Sequence, residues 1–353
     1  MAALEQRPIP LLAGDLPGTS GIVRASEEDF FVEELPLYEP SGSGEHLYLT
    51  VEKRGRTTPE VAKEIARALG AKEREVGAAG LKDKRAVAIQ RFSVASKAPA
   101  EEALRLRGEG FRVLAAARHG NKLRPGHLRG NRFRIVVRGV VPDGLARADA
   151  ICARLRARGA ANLFGPQRFG RRGDNAALGH ALLMRETQVR DRFLRRLALS
   201  ALQSEIFNRC LTARIADGLF ARAVEGDVLK KRATGGLFLC EDVAAEGPRV
   251  ASGEVDPAGP LPGHSLFAAR AEALRREQSV LLEAGVDPAC FAAGGGEMEG
   301  ARRPYRIAPE GLRVEAAGED ALALHFALPK GSYALAILRE VTGSEVGEAD
   351  LEA

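Results

Sequence analysis

Apolar and polar residues alternate from Glu45 to Lys53, so Leu47, Leu49 and Val51 fall on one face, the period of a half-buried strand. Upstream, GIVRASEEDFFVEELP, starting at Gly21, reads as two short extended segments around a polar turn. The period then changes. Thr58-Pro59-Glu60 is a helix start, Val61, Ile65, Ala68 and Leu69 make one apolar stripe, and Gly70 suits the end. Beyond it lie Val76 to Gly80, a loop through Lys84, and an apolar run from Ala86 to Val94 that length and flanks favour as a strand. Phe111 to Ala117 and Phe133 to Val141 are further strands. Leu145, Ala148, Cys152 and Leu155 stand at helical spacing on a helix ending near Gly159.

The middle of the chain differs in texture. Asp174 to Arg185 and Asp191 to Asp217 read as helices; a Gly- and Pro-rich stretch, Glu246 to Gly263, follows, then another helix around Ala268 to Ala284. The end returns to sheet: Leu322, Leu324, Phe326 and Leu328 alternate, and Ser332 is placed to cap a closing helix from Tyr333 to Val341. Strands, then helices, then a strand–helix unit predict one α+β domain interrupted by an inserted one.

With 353 residues and 45% hydrophobic composition the chain can bury two cores. A net charge of +5 leans toward an anionic partner. Cys152, Cys210, Cys240 and Cys290 form no CxxC pair and are expected to be reduced, buried thiols. The six histidines form no HxxxH pair, and there is no GxSxG elbow, phosphate-binding loop or dinucleotide fingerprint, so metal, triad and nucleotide-cofactor chemistry lack a motif. Neither a signal segment at Met1 to Gly14 nor an apolar run of spanning length is present, so a cytoplasmic protein without membrane association is expected.

Three segments carry candidate chemistry. In GLKDKRA, Asp83 is ringed by Lys82, Lys84 and Arg85, with Gly80 to let backbone approach a ligand. Such a carboxylate is expected to stay ionised and can serve as nucleophile or general base, while the cations attract phosphate; a solvated turn with local ion pairs is the plainer alternative. From Arg118 to Arg134 run six Lys or Arg residues and no acid, with Gly120, Gly126 and Gly130 letting the segment bend along a phosphate backbone; a solvated basic loop is again the alternative. From Asn162 to Gly170, Phe164 and Phe169 stand beside Asn162, Gln167 and Arg168, the composition needed to hold an unstacked base, or equally two core rings with amides closing turns.

Taken in order, these segments resemble the TruD family of pseudouridine synthases. A GxxKxxPEDFxVxE-like run is matched from Gly21 to Glu33. The AGxKDxxA loop falls on Ala79, Gly80, Lys82, Asp83 and Ala86, and ARHxxKLRxGxLxGNxF on Ala117 to Phe133. NxFGxQRFG falls on Asn162 to Gly170, and LPxGSxAxxxxRE on Leu328 to Glu340. Residues from about Gln188 to Ile307 match more loosely.

The resemblance implies a catalytic domain of mixed, largely antiparallel sheet in residues 1–187 and 308–353, with an inserted TRUD domain at 188–307. It implies isomerisation of uridine to pseudouridine, at position 13 of tRNA, with no cofactor and no metal, Asp83 acting as nucleophile or as a base on the ribose. It carries base-pocket duties onto Phe30, Asn162, Phe164 and Tyr333, and electrostatic support onto Lys82 and Arg24. Lys122, Arg124 and Arg129 are the expected contacts to the RNA backbone, and the protein is expected to act as a monomer with no protein partner. The sequence departs from the family pattern with Arg24 for Lys, Glu27 for Pro, Leu163 for Tyr and Tyr333 for Phe; the first matters most, because Arg and Lys differ in reach. A non-catalytic RNA-binding or RNA-remodelling protein on the same scaffold is the alternative, and a protein-binding adaptor a third that no motif favours.

Overall fold

The structure, a computed structural model, describes residues 8–293 and 297–343. It divides into two compact units: Asp15–Ala157 with the segment from Pro309 onward, and Arg158–Ala308 with the stretch up to Gly14.

The first unit is built on a ten-stranded sheet. Its main strands are β1 (Phe30–Pro36), β2 (His46–Arg54), β3 (Val87–Ala95), β4 (Phe111–His119), β5 (Leu128–Arg138), β10 (Glu310–Gly318) and β11 (Ala321–Pro329). They lie in the order β10-β11-β5-β1-β3-β2-β4. Only β1 and β3 run parallel among these neighbours, with Val32 opposite Ala88, so the sheet is mixed and largely antiparallel as expected. The sheet is completed late in sequence: β11 pairs along its whole length with β5, Ala321 opposite Arg138 and Pro329 opposite Gly130.

The alternation in β2 does what its period requires. Leu47, Leu49 and Val51 are fully buried against Phe92 and Val94 of β3 and against Val61 and Ile65 of helix α1 (Thr58–Ala68). The α1 start is a capping box one residue earlier than the Thr-Pro-Glu reading: Thr57 accepts from the Glu60 amide while Glu60 accepts from the Thr57 amide, which satisfies two otherwise orphaned donors. Helix α2 (Gly144–Arg158) follows as predicted. The closing helix α7 (Leu335–Thr342) starts two residues later than expected, and Ser332 does not cap it: Ala334 occupies that position with no side-chain bond.

In the second unit, α4 (Arg192–Ala216) is the central rod, with Leu202, Ile206, Phe207 and Leu211 buried. Helix α3 (Asn175–Leu183) crosses it at Gly179, where an added Cβ would lie 2.2 Å from the Ala198 carbonyl, so only glycine permits this approach. A four-stranded antiparallel sheet joins β6 (Val228–Lys231), β7 (Leu237–Leu239), β8 (Val255–Leu261) and β9 (Ala301–Pro304). The Gly- and Pro-rich stretch here is regular structure, not loop. Helix α5 (Val243–Ser252) holds Pro248 inside it and starts at an Asp242 cap that accepts from the Ala244 and Ala245 amides; β8 holds Pro257 and Pro260. Helix α6 (Ala271–Glu283) lies near where the pattern placed one. Cys152, Cys210 and Cys240 are buried free thiols and Cys290 is half-buried. Among the described residues no helix is long and apolar enough to cross a membrane.

Candidate active site

One face of the first unit's sheet is interrupted by polar side chains. By strand alternation, Phe30, Val32 and Glu34 of β1 share a face with Asn131 and Phe133 of β5, opposite which they register, and with Phe326 of β11. The same parity along β3 and β2 gives Ala88, Gln90, Val51 and Lys53. Three aromatic rings pack at one end of this face: Phe30 meets Phe133 edge-on at 6.1 Å, and Phe133 lies 5.2 Å from Phe326. Beside them Glu34, Gln90 and Lys53 are buried. Burying such groups is costly unless their hydrogen bonds are made. Nearly all of those bonds go to one place, the loop around Asp83.

That loop is pinned from beneath. Gln90 donates to the Gly80 carbonyl at 2.5 Å and accepts from the Thr58 hydroxyl at 2.9 Å, and Thr58 in turn accepts from the Lys82 amide at 3.0 Å. Lys53 Nζ donates to the carbonyls of Arg56 at 2.7 Å, Lys82 at 3.3 Å and Asp83 at 2.7 Å. Burial pulls the Lys53 ammonium down to about 8, with nearby Asp83 working against that fall. The Lys82 side chain does not reach outward: its ammonium binds Glu34 Oε2 at 3.0 Å in a pair that is almost wholly buried. Burial raises the Glu34 carboxyl above the usual range, and Lys82 opposes the rise. Lys82 thus faces inward, paired with Glu34.

Asp83 itself is turned toward solvent, its side chain 44% exposed. Arg24 donates from Nη2 to Asp83 Oδ2 at 2.7 Å, and the same guanidinium lies 4.2 Å from the centre of the Phe30 ring. Arg24 adopts a left-handed backbone with φ of 61°, unusual for a residue with a side chain and the kind of strain that collects at functional sites. The structure therefore brings Asp83, Arg24, Phe30 and Lys82 together. Tyr333 belongs to the same unit, just before α7, and is 42% exposed.

The basic segment connects β4, which runs on to His119, with β5, which starts at Leu128, two strands that β1, β3 and β2 separate in the sheet. Its turn is tied to the Asp83 loop, because the Gly126 amide donates to the Ala79 carbonyl at 2.7 Å. Gly126 has φ of 86°, which suits glycine alone. Arg124 and Arg129 are exposed and carry no ion pair among the described residues, whereas Lys122 donates to the Arg74 carbonyl at 2.5 Å.

Asn162 and Phe164 lie in the second unit and are buried there, 3% and 7% exposed. The Asn162 side chain donates to the Pro304 carbonyl at 2.9 Å and accepts from Arg303 Nη2 at 2.5 Å. Phe164 packs edge-on to Phe207 at 5.6 Å with the Arg303 guanidinium 4.1 Å from its centre, and Asn208 brackets its backbone, donating to its carbonyl and accepting from its amide at 2.9 Å each. These are the partners of packed residues, and within that unit both side chains have satisfied surroundings.

Sequence reading passed over the supports: Thr58, Gln90 and Lys53, and also Asn131. Glu34 Oε1 and Asn131 Oδ1, on paired positions of β1 and β5, are buried without a hydrogen-bond partner among the described residues. Lys53 had a signal, since it continues the buried parity of Leu47, Leu49 and Val51. Asn131 stood in the matched GNxF pattern, but nothing local separated it from a turn asparagine.

The sequence model described as tRNA pseudouridine synthase D (TruD) matches residues 8–190 and 187–341. A relative named tRNA pseudouridine synthase D from Anaeromyxobacter sp. (strain Fw109-5) is 54% identical over 353 residues, covering 97% of this chain and 98% of the relative. One of the same name from Thermus thermophilus is 46% identical over 332 residues, covering 94% and 91%. The crystal structure of a protein assigned as tRNA pseudouridine synthase D (TruD) from Methanosarcina mazei superposes with a TM-score of 0.77 at 26% identity, covering 97% of this chain and 98% of that one. A continuous match of this length, together with a fold shared along the chain, establishes that the protein belongs to the TruD family of tRNA pseudouridine synthases.

Proposed function

We propose that this protein is an isomerase that converts a uridine of tRNA, the one at position 13, to pseudouridine, with Asp83 as the catalytic carboxylate. The reaction exchanges the N1–C1′ bond for a C5–C1′ bond; a proton leaves C5 and one is gained at N1, so nothing is oxidised and no co-reactant is consumed. The observation that carries the reading is the setting of Asp83: an accessible carboxylate, oriented by Arg24, on a loop whose backbone is held by buried side chains. Such preorganisation suits attack by, or proton transfer to, a carboxylate in a fixed direction.

Phe30 and Arg24 form the wall beside Asp83, and exposed Tyr333 supplies an aromatic face for the displaced base. Glu34 Oε1 and Asn131 Oδ1 are acceptors in want of a donor, and a ring N–H of uracil has that chemistry. For Asn162 and Phe164 a direct role requires them to give up the partners described above. Arg124 and Arg129 are suited to phosphate. On this reading 188–307 is the inserted TRUD domain, acting with the catalytic domain on tRNA as a cytoplasmic monomer. The deciding experiment maps pseudouridine in tRNA from cells lacking the gene and restored with the parent or Asp83→Asn. The reading requires the modification to vanish and to return only with the parent; a site restored equally by Asp83→Asn would remove Asp83 from the chemistry.

A further inference from the structure

An interior ammonium with no carboxylate against it lies beneath the catalytic loop. Lys53 is 0% exposed, forms no ion pair among the described residues, and spends its three N–H donors on the carbonyls of Arg56, Lys82 and Asp83. Core packing alone would be served by a methionine of similar length, without the desolvation cost of a charge. The other anchors grip the loop earlier, at the Gly80 carbonyl and the Lys82 amide. Lys53 grips the carbonyl of Asp83 itself.

We infer that Lys53 is a positioning residue for the isomerisation: by fixing the carbonyls of Lys82 and Asp83 it sets the direction in which the Asp83 carboxylate points. The inference rests on the reading of Asp83 as the catalytic group. The charged groups around the ammonium are Asp83 and Lys82 on the loop, Glu60 on α1, and Glu27 ahead of β1. None of these side chains bonds to it, so its action is on backbone.

The test compares the parent, Lys53→Met and Asp83→Asn in single-turnover pseudouridine formation on a tRNA transcript, with RNA affinity and thermal melting measured alongside. Lys53→Met is expected to fold, to bind RNA within about twofold of the parent, and to react about ten- to a hundredfold more slowly, the scale of a small misplacement of a reacting group. A folded Lys53→Met reacting at the parent's rate overturns the positioning role while an inert Asp83→Asn leaves the catalytic reading intact; an active Asp83→Asn overturns that reading instead. If Lys53→Met does not fold, the parent decides. A neutral amine has two N–H donors for three carbonyls, so the rate is expected to fall as pH rises through about 8 with affinity held. A rate that stays level or climbs to about pH 9.5 overturns the proposal.

Discussion

Arg24 links Asp83 to Phe30: one guanidinium donates to the carboxylate at 2.7 Å and covers the ring at 4.2 Å. A charge-assisted bond and a cation–ring contact thus meet in a single side chain whose backbone is held left-handed. Arg24→Gln removes both contacts. A hydrogen bond to a charged group contributes about 1.5–3 kcal/mol, and the partly exposed carboxylate favours the lower end, so the single-turnover rate is expected to drop about tenfold. Arg24→Lys restores the charge without the flat surface and should recover only part of that loss. Equal rates for the parent and Arg24→Gln would show that the carboxylate needs no such guide.

Asp83→Asn is nearly isosteric yet can act neither as nucleophile nor as base. Product should become undetectable while melting temperature and RNA affinity remain those of the parent. Retained turnover would move the chemistry to another group.

Neutralising Arg124 and Arg129 together should weaken RNA binding for all sequences alike. Loss of two phosphate contacts flattens the slope of log affinity against log salt by roughly 1.5. Filter-binding titrations over a range of salt read this directly, and an unaltered slope would return the basic connection to the role of a solvated loop.

Phe164→Ala separates packing from stacking. A ring buried against Phe207 and Arg303 is expected to cost about 3–5 kcal/mol when truncated. Denaturant titration should show that loss, with the folded fraction reacting at the parent's rate. A rate lowered about five- to a hundredfold in fully folded protein would instead give the ring the base-stacking role.

Lys53 also makes stability depend on pH in a stated direction. Its folded value of about 8 lies below the ordinary 10.5, so between those values the unfolded chain holds a proton that the native chain has released. Stability from this group therefore rises with pH across that window, by about 3 kcal/mol in all, and is level below and above it. Urea titrations at pH 8 and pH 10 should show the parent gaining on Lys53→Met, while its catalytic rate moves the other way.

Much of the first unit was legible because its signals are local. The Leu47-Leu49-Val51 alternation and the Thr-Pro-Glu start of α1 each specify an element within a few residues, and both are found. The helix holding Pro248 was not legible: proline usually ends helices, and here a capped start at Asp242 and burial of Val250 outweigh it. The supports of Asp83 were hidden for another reason. Thr58, Gln90 and Lys53 lie on α1, β3 and β2, and only the pairing of those strands shows that their polar ends converge on one loop. Asn162 and Asn131 look alike in sequence; what distinguishes them is that one has its bonds made inside the second unit and the other faces Glu34 with an oxygen unanswered.

The late arrival of β11 has a consequence for how the enzyme is made. Asp83, its anchors and the basic connection are all synthesised early, but Phe326, which packs on Phe133 beside Phe30, belongs to a strand that the ribosome delivers only after the whole second unit. Until then β5 presents an open edge where β11 will pair, a surface prone to wrong partners. The nascent chain therefore carries the Asp83 carboxylate for most of its synthesis without a finished floor beneath it, and the site is complete only with the last strand to be added.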